Sequence, residues 1–117
     1  MPLVLMSRDP KVIYDEVARK IAQQLPVIVA AALDTSTEDE RGRLTADDVE
    51  VYVQDSTELD VNTKPLEITI WASLYPAREK NLDERRAKIA EAVRVIKPPE
   101  IKGFVWVLLQ PGSFEEL

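Results

Sequence analysis

The chain has 117 residues, 45% apolar and 31% charged, a balance that suits a globular protein with a core of its own. It contains no histidine and no cysteine, which excludes imidazole bases, serine–histidine nucleophiles, thiol chemistry and histidine or thiolate metal sites. A net charge of −6 argues against a broad nucleic-acid footprint. No apolar run reaches membrane-spanning length, and the start of the chain lacks the basic and apolar regions of a signal peptide, so the expectation is a cytoplasmic protein with no membrane contact.

The first element expected is a short buried strand over Leu3-Val4-Leu5-Met6, opened by Pro2. If Met1 is removed, Pro2 carries a free secondary amine. A terminal amine titrates near about 7.7–8.0, and an apolar surround lowers that value, so it could take a proton near neutral pH. Asp9-Pro10 reads as the start of a helix, with Asp9 as cap and Pro10 in the first helical position. Ile13, Val17, Ile21 and Leu25 then form an apolar stripe at four-residue spacing. Pro26 should bend this helix without ending it, with Val27 to Leu33 continuing as buried helix. Residues 34–42 read as a polar, exposed loop, and the acidic run Glu38-Asp39-Glu40 as part of it.

Val49 to Gln54 alternates strictly, so the valines share one face and Glu50, Tyr52 and Gln54 the other. After a polar connection, Leu66 to Tyr75 alternates again, with Trp71 and Tyr75 on the more polar side. Asn81-Leu82-Asp83-Glu84 resembles a capping box, opening a helix with Leu82, Ile89, Val93 and Ile96 inward and Arg85, Arg86 and Lys88 on other faces. Pro98-Pro99 ends it, and Gly103 to Gln110 is the last strand. The reading is an α+β fold: two tandem β-α-β units, 1–55 and 65–117, within one domain spanning 1–117. Right-handed crossovers pair each unit's strands in parallel, and both helices cover one face of a four-stranded sheet. The other face carries an aromatic patch, which marks an interface.

At this length, a strand starting at Pro2 followed by two tandem β-α-β units resembles the tautomerase superfamily, in its macrophage migration inhibitory factor and carboxymethyl-hydroxymuconate isomerase branches. Members of that family use an N-terminal proline as a catalytic base in a symmetric trimer. Gly42-Arg43, ahead of the second strand, is similar to the Gly-Lys of the inhibitory factor, which implies that Arg43 binds a substrate carboxylate. Ala77-Arg78 and the following Leu82-Asp83-Glu84-Arg85-Arg86 resemble the Gly-Arg and helix of the isomerase branch, which puts Arg78 against substrate. Pro26 falls where that branch has a proline within its first helix. Phe104 and Trp106 match last-strand positions where a neighbouring subunit's aromatic closes the pocket. Ala46-Asp47-Asp48 departs from the isomerase branch, which has arginines there, and Trp106 replaces an asparagine of the inhibitory factor.

The resemblance implies a cofactor-independent tautomerase or isomerase that moves a proton next to a carbonyl in a small unsaturated or 2-oxo acid. Pro2 would be the base, Arg78 the principal carboxylate ligand, Arg43 a second, and Arg8 a reserve for the same task. Partners would be that carboxylate substrate and two further copies of the chain. Two other readings share the element order: a tautomerase-fold trimer without catalysis, and a ferredoxin-like binding or regulatory domain, whose units interleave instead of lying side by side.

Overall fold

The computed structural model describes residues 2–117. Its elements are β1 (Leu3–Arg8), α1 (Asp15–Leu33), β2 (Glu50–Asp55), β3 (Leu66–Ser73), a short α2 (Pro76–Glu79), α3 (Leu82–Ile96) and β4 (Gly103–Gln110). The four strands lie in the order β2-β1-β3-β4. β1 and β2 run parallel, β3 and β4 run parallel, and β1 and β3 meet antiparallel at the centre. The two β-α-β units therefore sit side by side, and the interleaved ferredoxin-like order is ruled out.

Register explains the two faces. Val4 sits opposite Val51 and Ile70, and Met6 opposite Val53 and Ile68, so one face of the sheet is aliphatic. The helices cover it with Ile21, Leu25 and Val29 of α1 and Ile89 and Val93 of α3, all buried. The other face carries Leu3, Tyr52, Trp71, Phe104 and Trp106, of which Trp106 is 57% exposed. This is the expected α+β arrangement, with an apolar face under helices and an aromatic face left open.

Three local expectations are corrected. α1 begins at Asp15 and not at Asp9-Pro10, because the Asp9 carbonyl accepts from the N–H groups of Val12 and Ile13 in a separate turn. Helix does run through Pro26 to Leu33, as the apolar pattern required, but Val27 faces outward at 63% exposure. A wholly apolar run cannot be buried all round on a helix that packs along one side. Asn81 does not cap α3 with its side chain; its Oδ1 accepts from Arg85 Nε at 2.7 Å. No helix among the described residues is long and apolar enough to cross a membrane.

Candidate functional site

The site forms where β1 begins and β3 ends. Pro2 is buried there, and its carbonyl accepts from the N–H of Glu50, which sets the first rung of the β1–β2 ladder. Pro2 lines a cavity of about 100 Å³ together with Arg41, Arg43, Asp48, Ser73, Tyr75 and Arg78. The sheet delivers Pro2 and Ser73, the loop before β2 delivers Arg41 and Arg43, and α2 delivers Arg78. Gly42 lets that loop approach closely: a Cβ there would lie 2.0 Å from Thr35 Oγ1 and 3.1 Å from the Tyr75 ring.

Arg78 is 2% exposed. Its Nε donates to the Leu33 carbonyl at 2.9 Å, Nη1 to the Ser73 carbonyl at 2.8 Å, and Nη2 to the Gly42 carbonyl at 3.0 Å. These bonds tie together the end of α1, the end of β3 and the loop before β2. No ion pair to Arg78 exists among the described residues. Burial lowers its pKa from the ordinary arginine value, and the nearby charge of Arg85 lowers it further. The Tyr75 ring lies 5.3 Å from the Arg78 guanidinium and 5.4 Å from that of Arg41, so the ring contacts two cations.

The exposed arginines are balanced locally. Arg41 pairs with Asp39 at 2.7 Å, and Arg43 with Glu40 at 3.2 Å. Glu38 pairs with Lys80. Each acid of the 38–40 run therefore has its own cation, and that run is a paired surface loop.

Of the residues singled out in the sequence, the fold brings Pro2, Arg43 and Arg78 into one pocket. Arg8 lies six residues along β1 from Pro2, about 20 Å away for an extended chain, and binds Asp15 and Asp55 at 2.7 and 2.8 Å. Phe104 and Trp106 stand opposite Glu67 and Thr69 on the open sheet face and do not line the Pro2 pocket of their own chain.

Sequence reasoning missed Arg41, Tyr75 and Arg85. Tyr75 reads as one more strand residue, but β3 stops at Ser73 and Tyr75 precedes α2. The Pro76 that follows it was the available signal, since proline favours the first helical position. Arg85 reads as an outward residue of α3 and is buried. Its neighbours at helical spacing, Leu82 and Ile89, point the same way and were the signal for it.

No protein-family model matches the chain, and no curated protein matches it. Solved structures do. A macrophage migration inhibitory factor-like protein from Entamoeba histolytica is 14% identical, with 96% of this chain and 89% of that chain covered and a TM-score of 0.60. A fused 4-OT called R7, a wild-type asymmetric trimer, is 12% identical over 98% of this chain and 91% of that chain, with a TM-score of 0.62. The FG41 malonate semialdehyde decarboxylase, solved with 3-bromopropiolate as inhibitor, is 16% identical over 97% of this chain and 89% of that chain, with a TM-score of 0.50. At such identities the likeness is one of fold: the four-stranded mixed sheet with its helices is shared with these tautomerase-fold structures.

Proposed function

We propose, from a tautomerase-fold chain with its second residue in a cationic pocket, that the Met1-free protein is a cofactor-independent tautomerase or isomerase of small unsaturated or 2-oxo acids. The observation that carries this reading is the shared cavity of Pro2, Arg43 and Arg78. The Pro2 nitrogen takes a proton from the carbon next to the substrate carbonyl, or from the enol oxygen. The C–H or O–H pair becomes the π system of an enolate or of the new carbonyl. The resulting Pro2 ammonium returns the proton to another atom of the same substrate, so nothing else is consumed. Arg78, with Arg43 at the pocket mouth, binds the carboxylate and holds charge as the enolate develops. Histidine and cysteine are absent, and an exposed lysine is almost fully protonated at pH 7, so the amine is the base best suited to this pocket.

The active unit in this proposal is a homotrimer. The open sheet face with Tyr52, Phe104 and Trp106 supports it, since cyclic closure buries a repeated face, and the similar fused 4-OT is itself a trimer. Phe104 or Trp106 of a neighbouring copy would then close the pocket. A monodisperse monomer at micromolar concentration in light scattering removes this part.

The test is an assay of Met1-free protein on phenylenolpyruvate and 2-hydroxymuconate. Pro2→Ala, and protein that retains Met1, should each lose about 100-fold or more in rate. Arg43→Ala should raise KM more than it lowers kcat. If wild type matches Pro2→Ala across pH 6 to 9 with its assembly intact, the tautomerase-fold chain binds ligand without catalysing.

A further inference from the structure

Two guanidiniums are buried beside the Pro2 pocket, and neither has a carboxylate partner among the described residues. Arg78 lines the pocket and Arg85 does not. Arg85 is 8% exposed and donates Nε to Asn81 Oδ1 at 2.7 Å. Its Nη1 reaches the carbonyls of Ala32 and Asp34, each at 3.0 Å, and its Nη2 the carbonyl of Ala77 at 3.2 Å. Arg78 takes the intervening Leu33 carbonyl. Three consecutive carbonyls at the end of α1 are thus shared between two cations.

Part of this is helix capping. The last four carbonyls of a helix lack partners, the helix end carries partial negative charge, and α1 has no basic residue of its own in its last turn. One cation would suffice for that. Two like charges close together in a low-dielectric corner repel each other; Asp34, Asp39 and Glu38 act against this from outside ion-pair distance, and the groups bonded to the two guanidiniums, carbonyls and the Asn81 amide, are neutral. An anion bound beside Arg78 would relieve this repulsion further. Arg85 also fixes the pocket wall mechanically, because Ala77 is the residue before Arg78 and Asp34 holds the N–H of the pocket residue Leu44 at 3.0 Å.

We infer that Arg85 is a positioning residue for the Pro2 pocket, holding Arg78 in place through the end of α1 and Ala77 and adding its own charge to the pull on a bound carboxylate. This rests on the reading of the pocket as a carboxylate site. It concerns binding, so it does not depend on Pro2 acting as a base.

The experiment uses pyruvate and its neutral analogue pyruvamide as probes, titrated into the Met1-free protein and followed by NMR. Proton transfer is read in the same samples as deuterium uptake at the pyruvate methyl. Wild type should prefer pyruvate. Arg85→Met should weaken pyruvate about tenfold and pyruvamide by less than about twofold, whereas Arg85→Lys, which keeps the charge, should retain most of the preference. Equal losses for both probes would make Arg85 a scaffold residue only and overturn the inference, as would no loss for either. If Arg85→Met does not fold, the wild-type arginine Nε resonances decide: pyruvate, and not pyruvamide, should shift the Arg85 signal, and an unmoved signal overturns the inference. A wild type that prefers pyruvate without deuterium uptake leaves the inference standing and removes proton transfer. A wild type with no preference removes the carboxylate reading and this inference together.

Discussion

Pro2 and Arg8 mark the two ends of β1, and the arginines Arg78 and Arg8 packed at these ends are held by opposite kinds of partner. At the far end, Arg8 donates Nε to Asp55 at 2.8 Å, Nη2 to Asp15 at 2.7 Å and Nη1 to the Ile13 carbonyl at 3.1 Å. The hydrogen bonds it donates to Asp55 and Asp15 raise its pKa above the ordinary value. At the Pro2 end, Arg78 donates hydrogen bonds only to carbonyls, and burial lowers its pKa. The proposed site is not the larger cavity: the groove beside Arg8 measures about 410 Å³ and the Pro2 pocket about 100 Å³. A corner whose charges are neutralised by its own side chains has little left for a ligand, however large its opening. A corner whose buried cation has no ion-pair partner among the described residues keeps a preference for an anion, even with Asp48 in the pocket wall and Arg41 and Arg43 paired at the surface.

The sharpest way to break this contrast is to remove each arginine. Arg78→Ala strands three carbonyls that hold α1, β3 and the loop before β2 together, and should cost about 3–5 kcal/mol in urea unfolding. Arg8→Ala removes ion pairs to two exposed carboxylates and should cost only about 1 kcal/mol. The Arg8 effect should shrink between 50 and 500 mM salt, through screening, and the Arg78 effect should not. Equal costs, or equal salt dependence, would mean that the two ends do not differ in kind.

The same contrast explains what the sequence could and could not reveal. Strand and helix positions followed from alternation and four-residue spacing, because Ile68 and Ile70, or Ile21 and Leu25, must reach one side to be buried. Pro2 was legible from its place at the start of a strand, and Arg43 and Arg78 through the family resemblance of the segments that carry them. The structural role of Arg78 was not, since its partners are backbone carbonyls of residues 33, 42 and 73, and a carbonyl leaves no mark in a sequence. Arg85 was misread for the same reason. A charged residue on a helix reads as solvated unless its partner is a visible acid, and here the partners are mainly the end of another helix. The start of α1 was displaced because Asp9-Pro10 satisfies the signals of a helix start and of a turn equally well.

A smaller effect comes from Asp34, which supports the Pro2 end from behind. Burial pushes its pKa up, but hydrogen bonds from the Ser36 hydroxyl and from the N–H groups of Leu44 and Ser36 outweigh that, and the net shift is downward. A lowered carboxyl pKa contributes stability that is complete above the unfolded value and is lost as pH falls through the folded one. Asp34→Ala should therefore cost about 2 kcal/mol at pH 7, and the gap to wild type should close below about pH 4. A gap that stays constant down to pH 2.5 would show that the ionised carboxylate is not what holds Leu44.

The smallest effect tests what Arg78 has in place of the carboxylates of Arg8. The Tyr75 ring lies 5.3 Å from its guanidinium, and the negative face of a ring attracts a cation most strongly where water is excluded. Arg41, exposed and paired with Asp39, makes a similar contact from the loop. Tyr75→Leu keeps an apolar side chain and removes the ring, and should cost about 1 kcal/mol. Tyr75→Phe keeps the ring, and should stay within about 0.5 kcal/mol of wild type. A double-mutant cycle of Tyr75→Leu with Arg41→Ala should show a coupling of only about 0.5 kcal/mol, because Arg41 is hydrated. If Tyr75→Phe costs as much as Tyr75→Leu, the hydroxyl and not the ring face is the partner. Arg78 would then rest on carbonyls alone, which strengthens the expectation that a bound anion completes the Pro2 end.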